Sequence, residues 1–180
     1  MQSISNGKSI NFSMFMELLS INCLSIKNSR LYGLPEGMEL KDMGGEEIFV
    51  CDYDAILKGK FNFRLYVEIS KFFELILMNQ PGRVEDFMDS IISGASRVVI
   101  RPDETPQLIT RMLEFSPEVV MPANGSSKVR EFLSLGGEYL ISDREVPGNF
   151  VLCYLVSRIA AGEKYVQLVD FPEDMLPYLG

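Results

Sequence analysis

The segment Gly94-Ala95-Ser96-Arg97-Val98-Val99-Ile100 joins a glycine to a short run of β-branched residues. Glycine ends a helix readily because it adopts the left-handed conformation at little steric cost, and the run that follows is typical of a buried strand. The same order of glycine, polar residues and β-rich run recurs at residues 45–50, 137–141 and 162–166. The sequence therefore predicts a repeated junction between a helix and a strand.

Three further runs, at residues 23–26, 73–78 and 119–121, have the strand pattern without the glycine. Together the runs predict seven strands, with centres near residues 24, 50, 76, 99, 120, 140 and 167. Neighbouring centres are about 20 to 27 residues apart, which leaves room for one strand, one helix and two short loops.

The segments between these strands mostly have helical periodicity. Apolar residues recur at the spacing of one helix face in residues 84–92 and 65–73, with Asn62 as a candidate N-cap of the second. Thr105 followed by Pro106 predicts the start of a third helix, and residues 129–133 begin a fourth. Residues 150–160 are apolar on nearly all sides and are predicted as a buried helix, whereas residues 38–43 have room for only a turn or two.

Strands that alternate with helices predict parallel βαβ units, arranged in an open doubly wound sheet or in a closed eight-stranded barrel. Seven units in a row favour a TIM-barrel-like parallel (β/α) barrel that is incomplete or open. Residues 10–18 are a candidate for the missing strand or for a short helix that plugs the barrel bottom. Alternatively, a second subunit covers the open edge, which predicts a homo-oligomer. Residues 1–9 are expected to be a flexible tail and residues 10–180 a single domain.

The composition excludes several classes of function. Of 180 residues, 47% are hydrophobic and 23% charged, as in one soluble domain, and the net charge of -8 argues against nucleic-acid or anionic-membrane partners. Histidine is absent, which excludes catalytic pairs and metal sites that contain it. The cysteines, Cys23, Cys51 and Cys153, lie in or beside apolar runs and are expected to be buried reduced thiols, so a cytoplasmic location is predicted.

Several segments resemble one barrel family. Residues 46–56 read Glu-Glu-Ile-Phe-Val-Cys-Asp-Tyr-Asp-Ala-Ile and are followed by Gly-Lys-Phe-Asn-Phe at 59–63. Residues 83–86 read Arg-Val-Glu-Asp, then comes the strand at 94–100, and residues 23–30 correspond to a first strand. These segments resemble phosphoribosylformimino-aminoimidazole carboxamide ribotide isomerase and the related imidazole glycerol phosphate synthase cyclase subunit, which are (β/α)8 barrels of histidine biosynthesis. The resemblance implies the same fold and a phosphoribosyl ligand.

The resemblance also implies where an acid and a base should lie. The family's isomerase uses two aspartates, one at the end of strand 1 and one at the end of strand 5, for an Amadori rearrangement. The first position falls on Ser25, and the second falls on Ala123, or on Asn124 if the register shifts by one residue. None of these side chains transfers protons near neutral pH as a carboxylate does. The isomerase activity is therefore predicted to be lost.

The family's phosphate-binding turns are retained only in part. Gly82, Arg83, Arg101 and Asn124 are the candidates for binding a phosphorylated metabolite, while Asp170 would place an acid at another phosphate position. Polar residues expected at the same end of the barrel include Lys27, Asn79 and the acids Asp52, Asp54 and Asp143. No metal site or cofactor is predicted.

Three functions from different classes stay open. The first, which is favoured, is a non-catalytic barrel that binds a small metabolite or serves as an assembly module. The second is an enzyme on a phosphosugar-like metabolite that uses Asp52 or Asp54 as acid or base. The third is a structural partner whose sheet edge or helix face docks on another chain.

Overall fold

The computed structural model describes residues 20–123, 126–143, 153–159 and 162–180. Within these ranges the strands are β1 (Ser20–Lys27), β2 (Arg30–Tyr32), β3 (Glu47–Asp52), β4 (Glu74–Met78), β5 (Ala95–Val99), β6 (Val119–Pro122), β7 (Tyr139–Ser142), β8 (Cys153–Ile159) and β9 (Gly162–Val169). The α-helices are α1 (Tyr53–Lys58), α2 (Phe63–Ser70), α3 (Val84–Ile92), α4 (Pro106–Phe115) and α5 (Ser126–Ser134), and 3-10 helices span Leu40–Asp42 and Glu173–Leu179. The tail at 1–9 and the candidate strand at 10–18 lie outside the described residues.

The strands form one sheet in the order β2-β1-β3-β4-β5-β6-β7-β8-β9, and β1 also pairs with β9. The pairs from β1–β3 through β6–β7 are parallel, and so is β1–β9. The antiparallel pairs are β1–β2, β7–β8 and β8–β9. The fold is therefore a mixed α/β fold with a predominantly parallel sheet.

The periodicity predicted most of the elements correctly. Each of the seven predicted strand centres lies within a strand, and helices occur at 63–70, 84–92, 106–115 and 126–134 as expected. Thr105 is the N-cap of α4, where its side chain accepts a hydrogen bond from the Leu108 N–H at 3.3 Å. The segment 38–43 contains only the short 3-10 helix Leu40–Asp42. None of the helices in the described ranges combines the length and the apolar composition that crossing a bilayer requires.

The prediction of a buried helix over residues 150–160 is wrong, because Cys153–Ile159 is the strand β8. Only two residues separate β8 from β9, and so short a connection joins antiparallel neighbours, since a parallel crossover needs a dozen residues or more. An apolar segment without periodicity also suits a strand, and β8 supplies hydrogen-bond partners to both β7 and β9. The expected series of parallel strand–helix units is therefore interrupted at this position.

The first strand, β1, pairs with three other strands. Residues 20–22 pair with β9, residues 23–26 with β3 and residues 25–27 with β2. Among the described strands, β2 stands at the end of the strand order and pairs with β1. A homo-oligomer stays a prediction.

The sheet is apolar on both faces, as expected for strands that are covered on both sides. In β3 the side chains alternate between two clusters. Ile48 and Val50 belong to the outer cluster, which packs against helix residues such as Tyr66, Ile69 and Phe87. Phe49 and Cys51 belong to the inner cluster, whose other members are Ile21, Cys23, Tyr53, Ile76, Met78, Val99, Val120, Ile141, Leu168, Met175 and Leu179. Cys23 and Cys51 are buried, as predicted.

Gly94, between α3 and β5, combines a left-handed backbone with a close contact. Its φ is 110°, and a Cβ there would lie 2.3 Å from Ser70 Oγ and 2.5 Å from Ser70 Cβ, at the end of α2. Gly45 has a similar φ of 102°, but the nearest atom to its Cβ would be 4.0 Å away. Comparing a substitution at Gly45 with one at Gly94 therefore distinguishes the effect of backbone strain from the effect of a steric overlap.

We expect Gly45→Ala to lower the free energy of unfolding by about 1–3 kcal/mol through strain alone. Gly94→Ala should lower it by roughly 1–3 kcal/mol more, because the new methyl group overlaps Ser70. Urea denaturation measures both values. The double variant Gly94→Ala/Ser70→Gly should recover most of the difference, and equal losses for the two single variants would contradict the close contact.

Candidate functional site

The carboxyl ends of the parallel strands share one edge of the sheet, which we call the mouth. In parallel α/β proteins ligands bind at this edge. Asp52 is the last residue of β3 and the N-cap of α1, and Asp54 lies in the first turn of α1. Asp52 continues the alternation of Ile48 and Val50, so its carboxylate points towards the helices that cover the outer face.

The Asp52 carboxylate is 0% exposed and accepts hydrogen bonds from three residues. The Ala55 N–H donates to Oδ1 at 3.2 Å, and the Tyr66 hydroxyl donates to Oδ2. Asn62 donates from its backbone N–H at 3.3 Å and from Nδ2 at 2.9 Å and 3.2 Å. Buried charges require such partners.

Asp54 is 3% exposed and holds the turn between β1 and β2. Asn28 and Ser29 form this two-residue turn with φ values of 51° and 59°, as in the turns that favour tight hairpins. The Asn28 N–H donates to Asp54 Oδ1 at 2.8 Å, and the Ser29 N–H donates to Oδ2 at 2.9 Å. The carboxylate thus fixes the hairpin to the start of α1.

The sequence predicts Asn62 as the N-cap of α2. In the structure its side chain instead links the two carboxylates. It stands at the N-cap position of α2 without a side-chain cap bond, and its Nδ2 donates to Asp54 Oδ2 at 3.0 Å as well as to Asp52. One amide group therefore donates hydrogen bonds to both carboxylates.

Two neighbours of this network, Tyr66 and Ser90, were missed by the sequence analysis. Asn79 Nδ2 donates to the Tyr66 oxygen at 3.4 Å and to Ser90 Oγ at 2.8 Å. Ser90 in turn donates to the backbone oxygen of Asp86 at 2.7 Å. The spacing of four residues from Asn62 to Tyr66, which places both on one helix face, is the signal that could have found Tyr66.

The pKa values of the two acids shift in opposite directions. Desolvation raises the pKa of Asp52 despite the hydrogen bonds from Tyr66, Ala55 and Asn62. Desolvation also raises the pKa of Asp54, but the hydrogen bonds from Ser29, Asn62 and Asn28 outweigh it, so that this pKa is lowered. Burial and the neighbouring Asp52 raise the pKa of the Tyr66 hydroxyl.

The two positions that the resemblance assigns to acid and base lie on opposite faces of the sheet. Ser25 follows the inner-face alternation of Ile21 and Cys23, whereas Ala123 packs against the outer cluster. The Ala123 N–H donates to the Ile141 oxygen at 2.8 Å. Asn124, the position reached if the register shifts, lies outside the described residues.

The structure brings together two of the predicted phosphate-binding residues. A Cβ at Gly82 would lie 3.2 Å from Nη2 of Arg101, so the guanidinium rests against this glycine, and both residues are exposed. Arg83 instead pairs with Asp86 in α3 at 3.1 Å and 3.2 Å, and this hydrogen bonding raises the pKa of Arg83. Arg101 is thus the better placed of the two arginines for an anion.

The other predicted acids do not gather into a cation site. Asp170 is exposed in a turn with a φ of 60°, and Asp143 has a buried oxygen without a hydrogen-bond partner. Among the side chains that the structure describes, no group of three or more Cys, Asp or Glu residues could hold a metal ion.

The 3-10 helix Glu173–Leu179 lies across the mouth. The Tyr53 hydroxyl, at the end of β3, donates to Asp174 Oδ1 at 2.7 Å, and Gln80 Nε2, after β4, donates to the Tyr178 oxygen at 2.8 Å. A Cβ on Gly180 would lie 3.2 Å from Pro102, after β5. Met175 and Leu179 are buried in the inner cluster. The chain therefore covers the ends of three adjacent strands with its own residues.

The arrangement limits the chemistry of the two aspartates. Their oxygens accept hydrogen bonds from the protein itself, and neither carboxylate is accessible to a bound molecule. General acid–base catalysis needs a carboxyl group within hydrogen-bond reach of the substrate. In this arrangement Asp52 and Asp54 act as structural acceptors.

The opposite pKa shifts predict opposite pH effects in two matched variants, Asp52→Asn and Asp54→Asn. A lowered pKa in the folded protein gives stability that is present above about pH 4 and lost as the pH falls. A raised pKa gives a contribution that is present below about pH 4 and falls as the pH rises. Asp54→Asn removes the first of these pH dependences of stability, and Asp52→Asn removes the second.

We therefore expect the stability advantage of the wild type over Asp54→Asn to grow as the pH rises towards 4 and then to stay near 2 kcal/mol, about the value of a hydrogen bond to a charged group. The advantage over Asp52→Asn should shrink as the pH rises above about 4. Denaturation between pH 2.5 and 8 measures both differences. Slopes of the same sign would show that the assigned environments are wrong.

The resemblance to the ribotide isomerase family depends on the quoted sequence motifs alone. No protein-family model matches the sequence, and a search of curated proteins finds no significant relative.

Proposed function

We propose that the chain is a non-catalytic relative of the ribotide isomerase barrels, which binds a small phosphorylated metabolite or serves as an assembly module. One observation carries the proposal, namely that the carboxylates of Asp52 and Asp54 are buried and accept hydrogen bonds from other residues of the protein. The positions implied for acid and base hold Ser25 and Ala123, which supply no carboxylate.

A barrel-like arrangement is supported by the strand pairing. The parallel pair β1–β9 links the first and last strands, and β8 lies between β7 and β9, where the expected eighth unit is missing. An antiparallel strand in this place would let the sheet curve round without an eighth helix. The inner cluster then fills the interior of the barrel.

Binding of a phosphorylated ligand is supported by the donors at the mouth. The Arg101 guanidinium lies against Gly82, where the missing Cβ leaves the space that it occupies, and Arg101 is exposed, so its N–H groups are available to phosphate oxygens. Lys27 Nζ lies 4.4 Å from the centre of the Tyr53 ring, at the end of β1. These cations favour phosphate oxygens over neutral ligands.

An enzyme that uses Asp52 as a general acid is the second candidate, since a carboxyl group with a raised pKa suits that role. It requires the helices above Asp52 to open, because α2 places Tyr66 directly on the carboxylate. The phosphosugar-like substrate of this alternative would have to enter from the outer face.

The full chain should bind the bisphosphorylated ribotide of the family's isomerase without converting it. Calorimetry measures the binding, and chromatography of the ribotide after incubation measures conversion. Arg101→Ala should weaken binding roughly ten- to hundredfold, as loss of a hydrogen bond between charged groups predicts. Arg111→Ala, which removes an exposed arginine from α4, is the matched control and should leave the affinity unchanged.

Turnover of the ribotide that disappears in Asp52→Asn would overturn the non-catalytic role in favour of the enzyme. Absence of binding, together with a stable homo-oligomer in light scattering, would favour the assembly role over the metabolite.

A further inference from the structure

Two hydrogen bonds between the mouth and residues 173–180 run in the same direction, from a donor on the mouth to an acceptor on the segment. Tyr53 and Gln80 supply the donors, while the Asp174 carboxylate and the Tyr178 carbonyl are the acceptors. Lys27 lies over the Tyr53 ring at one end of this path. At the other end, Gly180 contacts Pro102, the residue after Arg101. At these two positions the mouth donates hydrogen bonds, Lys27 adds a positive charge beside Tyr53, and the segment supplies the acceptor oxygen atoms.

The position of Gln80 explains why the mouth needs an acceptor at this point. Its backbone has a φ of 48°, in the left-handed region that residues other than glycine adopt rarely. Its side chain is buried, and Nε2 donates to the Tyr178 oxygen. A buried amide that loses its acceptor is destabilising, so a molecule that displaces the segment has to offer an oxygen in the same place.

We propose that residues 173–180 are a built-in competitor for an anion site at the mouth, and that a small anion with phosphate or carboxylate oxygens binds there by displacing them. The Asp174 carboxylate occupies the place of one anionic group of that ligand, on the Tyr53 hydroxyl. The inference rests on the proposed binding function and adds to it a ligand class and a means of control.

Competition has a quantitative consequence. A ligand that binds only the open state has an apparent dissociation constant equal to its intrinsic value divided by the open fraction. Any change that weakens the segment's hold without altering the donors of the mouth therefore tightens binding. Asp174→Asn is such a change, because it removes the charged acceptor and leaves Tyr53, Gln80, Lys27 and Arg101 intact.

The test compares binding of pyrophosphate to the full-length wild type, Asp174→Asn and Glu173→Gln by calorimetry. Glu173 is exposed in the same turn, so its variant controls for the loss of one negative charge. We expect Asp174→Asn to bind pyrophosphate about tenfold more tightly than the other two proteins. A parallel titration with citrate distinguishes a phosphate site from a carboxylate site.

Amide hydrogen exchange reports directly whether residues 173–180 are displaced from the mouth. Pyrophosphate should accelerate exchange of the amides of residues 173–180 in the wild type, although most ligands protect the segments that they touch. Leu179→Ala, which removes a buried anchor of the segment, should increase the same exchange without ligand. Thermal unfolding of each variant verifies that the rest of the chain stays folded.

Equal affinities of Asp174→Asn and Glu173→Gln, or slower exchange of residues 173–180 on pyrophosphate binding, would overturn the competition. Absence of pyrophosphate and citrate binding in all three proteins would overturn the anion site. In either case the proposed function survives if the ribotide binds without turnover, so the two failures are distinguishable.

Discussion

The buried carboxylate of Asp52 is the constraint on which one side of the molecule depends. A charge without access to water has to be surrounded by donors, and these come from the first turn of α1, from Asn62 and from Tyr66 in α2. The path of the chain from β3 through α1 into α2 is therefore fixed by one group. Because Asn62 also donates to Asp54, which holds the Asn28-Ser29 turn, the same constraint extends to β1 and β2.

The inner face of the sheet imposes a different requirement, since its apolar side chains also have to be shielded at the mouth. Met175 and Leu179 are four residues apart, and both are buried in the inner cluster. The polar groups of the same short helix remain at the rim, where Tyr53 and Gln80 bind them. One segment thus completes the core and supplies acceptors to polar groups at the strand ends.

The sequence was sufficient to predict the helices and strands that have local signals. It was insufficient where neighbouring strands determine the secondary structure. The helix-ending glycine before 95–99 and the Thr105-Pro106 pair each act within a few residues, so their elements were predicted correctly. Residues 153–159 have no periodicity, and only the edges of β7 and β9 make them a strand. A strand therefore could not be told from a buried helix by the pattern of this segment alone.

The candidate site was predictable to the same limited degree. The position of Asp52 at a strand end followed from the pattern, but its direction did not, because Ile48, Phe49, Val50 and Cys51 are all apolar and leave the two faces indistinguishable. The cover formed by residues 173–180 depends on contacts with Tyr53 and Gln80 that are far away in the chain. Long-range contacts of this kind leave no trace in a local pattern.

The pairing of β1 with β9 has a consequence for the order of folding. Ser20 lies opposite Gln167, so this pair closes a loop that contains all the other described strands, whereas β7, β8 and β9 are neighbours in the chain. Contacts between distant residues form late, since their entropy cost precedes any gain. Residues 173–180 follow β9 directly, so during synthesis the ends of β3 and β4 are complete before the segment that covers them exists. A newly made chain passes through a state in which its mouth is open.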